Sequence, residues 1–143
     1  MLLKREERRY RLQTEDYGRL AAFRQELRHF LRFSEEAAER AGLTSQHYQA
    51  MLVLRAAEQG AITINELARQ LLIKHNSAVG LVDRLAAEGL VTRETSSEDR
   101  RKVELHLSAR GRDVLARLAA VHRAELRRMA PALKRVISRV AKK

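Results

Sequence analysis

Apolar residues recur at steps of three and four along the first well-patterned segment of the chain, residues 14–40. This period puts them on one face of a long helix, which Gly42 ends. Thr44 then offers a hydroxyl group that can cap a second helix, which is short, strongly apolar and continues towards Gly60. The pattern therefore predicts a long amphipathic helix followed by a shorter buried one.

Two more short helices are predicted in tandem. After Ile62, in a short extended segment, Thr63 and Glu66 have the spacing of a capping box that opens the first of them. A brief connection leads to the second, over residues 75–88, which carries apolar residues on its inward face and stops at Gly89. The spacing thus predicts two helices joined by a tight turn.

Two segments, 90–94 and 103–107, are the convincing strands of the chain. In VELHL, the second of them, apolar and polar residues alternate, which is typical of a ribbon with one buried face. We expect the two strands to pair as an antiparallel hairpin around the charged loop 95–102.

Beyond the hairpin the pattern returns to a helical period. Ser108 can cap a long helix whose apolar positions continue to Pro131, the sole proline. Because proline lacks an amide donor and usually ends a helix, a separate last helix is expected over residues 132–140. The fold class is therefore mainly α with a small antiparallel β-hairpin.

Composition adds a charge argument to this helical picture. The chain has 143 residues, a common length for one domain, and its 45% hydrophobic and 33% charged residues are typical of a globular protein. Lys and Arg outnumber Asp and Glu by 29 to 18, and the net charge of +11 favours a polyanionic partner, nucleic acid or an anionic membrane surface. The arrangement of the charges must decide between them.

Several kinds of chemistry are disfavoured. The chain has no cysteine, which excludes disulfides and thiolate metal sites. It contains no HExxH, GxSxG or glycine-rich phosphate loop, and its five histidines lack metal-type spacing. We therefore expect no enzyme, no metal and no cofactor. Since no segment approaches about 18 uninterrupted apolar residues and the opening lacks an apolar leader core, a cytoplasmic protein is expected.

The order of the predicted elements indicates a winged helix-turn-helix. In this arrangement the second short helix, the recognition helix, can enter the major groove of DNA. The loop 95–102 is the wing, where Arg100, Arg101 and Lys102 can meet phosphates or enter a narrow minor groove. Asp99 is expected to orient one of these cations by a bidentate pair.

Three stretches of the chain carry a resemblance to a known family: LTSQHYQAMLVL, ITINELARQLLIKHNSAVGLVDRLAAEGLV and DRRKVELHLSARG. Through them the whole chain resembles the MarR family of bacterial transcriptional regulators. The resemblance implies that Asp99 and Arg101 form the family's wing pair, with Arg101 reading the minor groove and Asp99 holding it.

The same resemblance implies one MarR-like domain over residues 1–143, in which helices 14–41 and 109–141 build a twofold dimer around DNA-binding lobes, 44–107. The apolar stripes of the terminal helices support a homodimer independently, because they exceed what the small centre can cover. A symmetric dimer would present two recognition helices, roughly 34–36 Å apart, to a pseudo-palindrome.

The outward positions near the start of the recognition helix are the candidate base contacts. Asn can bond bidentately to adenine and Ser can serve either base, although both types also favour helix N-caps. Glycine in a helix interior suggests a close approach, either to DNA or to the neighbouring helix. The candidates are His75, Asn76, Ser77 and Gly80.

The candidate phosphate and wing contacts are mostly cations. For Arg84 and Arg93 the alternative is an ion pair with a nearby carboxylate, and for the wing it is a solvated loop. Phosphate contacts supply affinity and not sequence choice. The candidates are Lys74, Arg84, Arg93, Asp99, Arg100, Arg101 and Lys102.

The resemblance also implies a small, often aromatic effector bound between the dimer helices and the DNA-binding lobe. Residues at such helical spacing are otherwise plain core. The candidates are Tyr17, Phe30, Phe33, His47, Tyr48 and Met51.

Three functions remain in competition. The first is a dimeric regulator of transcription, a repressor, that binds a double-stranded palindrome. The second is a winged-helix module that binds a protein partner through its basic surface. The third is attachment to anionic membranes by the amphipathic terminal helices, whose stripes suit a dimer seam better.

Overall fold

The computed structural model describes residues 11–57 and 62–142, which form five helices and one β-hairpin. The mainly α fold class with an antiparallel hairpin is therefore confirmed. In chain order the elements are α1 (Thr14–Arg40), α2 (Ser45–Ala56), α3 (Ile64–Leu71), α4 (His75–Ala87), β1 (Val91–Thr95), β2 (Val103–Leu107) and α5 (Ala109–Ala141).

Local hydrogen bonds begin and end the helices where the sequence marks them. Thr44 caps α2, and its side chain accepts from the His47 amide while the His47 ring accepts from the Thr44 amide. Gly42 and Gly89 take φ of 74° and 72°, the left-handed conformation that favours glycine after a helix. The predicted approach of the second helix to Gly60 lies outside the described residues.

One of the two hydrogen bonds of the predicted capping box of α3 is present. The Thr63 hydroxyl accepts from the Glu66 amide at 3.3 Å. The Glu66 carboxylate, however, pairs with Arg69 at 2.7 Å. The turn after α3 then passes through Leu72, which has φ of 55° and is 92% exposed.

The hairpin has a simple antiparallel register, from Val91 opposite Leu107 to Thr95 opposite Val103. The first strand starts one residue later than predicted. Ile62 adds a single bridge, in which its carbonyl accepts from the Leu105 amide at 2.8 Å. The extended segment predicted at Ile62 is thereby confirmed, and it ties α3 to the base of the wing.

The predicted break at Pro131 is wrong. Helix α5 runs without interruption from Ala109 to Ala141 with Pro131 inside it. Proline removes one amide donor, but its φ is helical, so the helical residues on both sides can carry the element through. The separate last helix over residues 132–140 is therefore the end of α5.

By its contacts the chain divides into two compact units. We call residues 34–123 the central unit, and the residues up to Phe33 with those from Ala124 onwards the terminal unit. The central unit contains the helix-turn-helix and the hairpin, with Met51, Leu67, Val82 and Leu85 as its largest fully buried side chains.

One glycine closes the base of the hairpin. A Cβ atom at Gly111 would overlap with the carbonyl oxygen of Leu90. The same region is held by Ser108, whose hydroxyl donates to the Gly89 carbonyl at 2.6 Å and whose amide donates to that of Leu90 at 3.0 Å. The first turn of α5 is thus fixed directly against the start of β1.

None of the helices in the described part of the chain combines the length and the apolar character needed to cross a membrane.

Candidate nucleic-acid interface

The first two turns of α4 present the four candidate base contacts to solvent. His75, Asn76, Ser77 and Gly80 are all exposed. The N-cap position belongs to Lys74, which makes no side-chain cap bond, so Asn76 and Ser77 are not the N-cap. No atom lies within 4 Å of a Cβ placed at Gly80. Close packing against the neighbouring helix is therefore not the reason for a glycine at this position.

A residue of the preceding helix holds His75. Nδ1 of the His75 ring lies 2.6 Å from Oδ1 of Asn65, the second residue of α3. Asn65 was not among the site residues predicted from the sequence. Its only local signal was a polar residue at an exposed position of the first helix turn.

Ser96 organises the wing and was also missed. It is 7% exposed, and its hydroxyl accepts from the amides of Glu98 and Asp99 at 3.2 and 3.3 Å. Its own amide donates to the Lys102 carbonyl at 2.9 Å, which closes the loop. Serine often accepts from the amides two and three residues ahead in a turn, so a Ser two residues before an acid was the available signal.

Asp99 does hold Arg101, but not by a two-oxygen pair. One oxygen, Oδ1, accepts from the Arg101 amide at 3.0 Å and from its Nε at 3.4 Å. Because the same oxygen accepts both bonds, the predicted pair with two parallel bonds to two oxygens is not formed. The Arg101 side chain remains 93% exposed and can therefore meet a ligand.

Two further candidate phosphate contacts, Arg84 and Arg93, are paired with carboxylates of the chain. Arg93 on β1 forms an ion pair with Asp83 on α4, and Arg84 meets Glu88 at 3.2 Å. This is the carboxylate alternative that the sequence left open for both arginines. The Arg93–Asp83 pair also joins the hairpin to the recognition helix.

A cleft of about 620 Å³ lies between the helix-turn-helix and the wing. We call it the wing cleft. It brings together His75 from the recognition helix and Arg101 with Lys102 from the wing, which lie 26 and 27 residues further along the sequence. Its lining is Thr63, Ile64, Asn65, Glu66, His75, Ser96, Glu98, Arg101, Lys102, Val103 and Glu104.

The six candidate effector residues fall in two groups. Tyr17, Phe30 and Phe33 belong to the terminal unit, where Tyr17 is 59% exposed. The other three, His47, Tyr48 and Met51, are buried in the central unit. None of the six lines the wing cleft.

The three buried candidates already have structural roles. The His47 ring accepts from the Thr44 amide at 3.1 Å. Its pKa is lowered mainly by burial and secondly by the positive charge of Arg84, while the negative charge of Glu88 has a smaller, opposite effect. Tyr48 stacks on His122 with ring centroids 4.0 Å apart, and burial raises its pKa. The core interpretation therefore describes these residues, while their role towards an effector stays a prediction.

His122 anchors a buried polar cluster in the central unit. Its Nδ1 lies 2.7 Å from the Leu118 carbonyl oxygen and its Nε2 2.9 Å from the Ser34 hydroxyl. Ser34 in turn meets the Ser45 hydroxyl at 3.2 Å. These contacts give His122 a structural role in the core of the central unit. In residues 11–57 and 62–142 no group of three or more His, Asp or Glu side chains is placed to hold a metal ion.

The chain is similar to transcriptional regulators of known sequence. The model of the MarR family matches residues 41–102, which include α2 to β1 and the whole wing, 95–102. The HTH-type transcriptional regulator FarR of Neisseria gonorrhoeae is 37% identical over 71 residues, 50% of this chain and 47% of that protein. The chain spans about half the length of the curated relatives it matches.

Solved structures share the fold. AbsC, a MarR family transcriptional regulator from Streptomyces coelicolor, superimposes with a TM-score of 0.72 at 22% identity, over 82% of this chain and 80% of that one. MepR of Staphylococcus aureus in complex with DNA gives a TM-score of 0.67 at 17% identity, over 76% and 78%.

Proposed function

We propose that the protein is a regulator of transcription of the MarR family that binds double-stranded DNA, since the model of that family matches its winged helix-turn-helix at residues 41–102. In this proposal it acts as a homodimeric repressor on a pseudo-palindromic operator. It is not an enzyme, and it works in the cytoplasm, where a bacterial chromosome lies.

The observation that carries the proposal is the pairing of an exposed recognition helix with a cationic wing across one cleft. The first turn of α4 exposes polar side chains that can reach base edges. The wing cleft places Arg101 and Lys102 opposite that turn, where they can meet the phosphates beside the groove. MepR, which shares this fold, was crystallised with DNA.

The side chains divide into two roles. Asn76 and Ser77 read bases in the major groove, and Gly80 lets the helix approach closely, since open space surrounds it. Lys74 and the wing cations Arg100, Arg101 and Lys102 bind phosphate or the minor groove, with Asp99 orienting Arg101. Arg84 and Arg93 contact phosphate by exchanging their carboxylate partners for it.

A second copy of the chain would complete the protein. The terminal unit exposes large apolar side chains along both of its helices, among them Leu20 and Ile137 at 44% and 48%. Such surface is removed from water most readily by the same surface of another copy. The dimer also supplies the second recognition helix that a palindrome requires.

The proposal also includes a small aromatic effector, because the resemblance to the MarR family implies one. Tyr17, Phe30 and Phe33 on α1 and His47, Tyr48 and Met51 on α2 are its candidate contacts. Binding there would release DNA. Titration of phenolic and benzoic compounds against the protein–duplex complex tests this point.

The central test is duplex binding across salt concentrations. If each subunit neutralises about five phosphates, log affinity falls with log salt at a slope of about −9, from roughly 0.9 per contact. Arg101→Ala should weaken binding to every sequence, whereas Asn76→Ala should change the preference among sequences. Random duplexes and anionic vesicles are offered in parallel.

The outcomes separate the competing functions. Salt-dependent duplex binding with a selected sequence supports a regulator. Binding to vesicles alone supports membrane attachment. Indifference to both surfaces at low salt contradicts the proposal and leaves the protein-interaction module, which a basic winged helix can also form.

A further inference from the structure

A hydrogen bond joins the two helices of the helix-turn-helix at the edge of the wing cleft. His75 is the first residue of α4 and Asn65 is the second of α3, and Nδ1 of the ring lies 2.6 Å from Oδ1 of the amide. Both residues are exposed and line the cleft. Because an amide oxygen can only accept, the ring donates from Nδ1.

This contact determines which atom the ring offers to a ligand. In a neutral imidazole one nitrogen carries the proton and the other accepts. With the proton on Nδ1 and bonded to Asn65, Nε2 remains as an acceptor. In the major groove adenine and cytosine present amino donors, whereas guanine and thymine present only acceptors.

The bond is not needed to cap either helix. Thr63 caps α3 with its own hydroxyl, and the N-cap of α4 is Lys74. Behind the exposed pair, Leu67 and Ala68 are buried and fix α3 in the core. The Asn65 side chain is therefore held on a rigid element, and its contact with the ring orients a group that faces solvent.

We propose that Asn65 is a positioning residue for base recognition. It fixes the His75 ring so that Nε2 selects adenine or cytosine over guanine or thymine at one position of each half-site. The proposal rests on the DNA-binding function proposed above and adds to it a residue and a class of base.

The test measures base preference and not affinity alone. Duplexes selected from a random library are varied at each position and titrated with the protein under one fixed set of conditions. At one position the unaltered protein should favour adenine or cytosine by roughly two- to tenfold, the size of one hydrogen bond. His75→Ala should lose this preference, and Asn65→Ala should lose most of it.

Two variants distinguish positioning from a structural role. Asn65→Asp keeps an oxygen that accepts from Nδ1 and should retain the preference, although its negative charge lowers affinity for all sequences alike. The double variant Asn65→Ala with His75→Ala should match His75→Ala alone, because Asn65 acts through the ring. Gln70→Ala, at another exposed position of α3, is the matched control and should change nothing.

Several results would overturn the inference. They are a preference for guanine or thymine at the position that His75→Ala affects, an unchanged preference in Asn65→Ala, or an equal loss in Asn65→Asp and Asn65→Ala. If the protein binds duplexes with a preference that these variants leave intact, only this inference fails. If the unaltered protein binds no duplex, the proposed function fails with it.

Discussion

The central and terminal units differ in how completely each buries its own apolar residues. The central unit encloses Met51, Leu67, Val82 and Leu85 and uses its polar residues in caps, turns and the His122 cluster. In the described part of the terminal unit, Met129 is the buried large hydrophobic residue. The exposed ones there are Leu12, Tyr17, Leu20, Leu31, Leu126, Ile137 and Val140.

The difference indicates that the two units have different roles. A unit that is complete by itself can keep the recognition helix and the wing in a fixed geometry. A unit with uncovered apolar helices lowers its free energy by binding a matching surface. The same chain thus contains one region built for rigidity and one suited to assembly.

The largest expected effect tests the closed packing of the central unit. Gly111→Ala should lower the free energy of unfolding by about 3 kcal/mol, because the new methyl group meets the Leu90 backbone, which cannot yield as a flexible side chain would. Denaturant titration measures it.

Gly18→Ala is the matched control in the terminal unit. Open space surrounds Gly18 within α1, so alanine should raise stability by about 1 kcal/mol through its helix propensity. Equal effects of the two substitutions would contradict the contrast between the units.

The next effect concerns assembly. Ile137→Asp should raise the dissociation constant of the dimer by roughly 30-fold, about 2 kcal/mol, because it places a charge in an apolar seam. Analytical ultracentrifugation at several concentrations measures the constant. Leu72→Asp, at a position that is 92% exposed in the central unit, should leave it unchanged. An unaltered chain that is monomeric at all concentrations would contradict the prediction.

Acid should destabilise the central unit through His47. Burial lowers the pKa of this ring in the folded chain below its ordinary value of 6.5, so the unfolded chain binds the proton more readily. Stability is therefore complete above a pH of about 6.5 and falls as the pH drops from there towards the folded pKa, by at most about 1.4 kcal/mol per pH unit.

His47→Gln isolates this contribution. The glutamine amide can accept from the Thr44 amide as the ring does, but it does not titrate. The difference in unfolding free energy between the unaltered protein and this variant should grow in favour of the variant as the pH falls. A difference that is constant from neutral to acidic pH would show that His47 is not the titrating group.

The smallest expected effect is at the turn between α3 and α4. Leu72 has φ of 55°, a conformation that costs a non-glycine residue roughly 1 kcal/mol. Leu72→Gly should relieve this cost. Because glycine also loses more conformational entropy on folding, the net gain in the free energy of unfolding should be only a few tenths to about 1 kcal/mol. Leu72→Ala keeps the strained φ and should stay close to the unaltered protein. Thermal unfolding of the unaltered protein and the two variants measures the differences.

The elements of the fold could be predicted because their signals are local. A helical or alternating period is complete within a few residues, and so are the caps at Thr44 and Gly89. The prediction failed at Pro131 because a proline signals a break in isolation, whereas a long helix can continue through the loss of one donor. The wing position and its cations were predicted, but Ser96, which closes the wing, was not.

The candidate site was predicted only in part for the same reason. Asn76, Ser77 and Gly80 could be named from one helix, and their exposure agrees with that assignment. Their contacts with bases stay a prediction, as do the domain boundaries and the effector residues. The partners of Arg84 and Arg93 could not be chosen from the sequence, because each had several carboxylates within reach.

The sequence by itself determined the order of the elements, the basic character of the chain and the place of the wing, since these depend on periodicity, composition and neighbouring residues. Tertiary structure alone decided that Asn65 holds His75, that Gly111 lies against Leu90 and that His122 meets Ser34, 88 residues away. Such contacts depend on the packing of whole elements, which brings together side chains that share no local pattern.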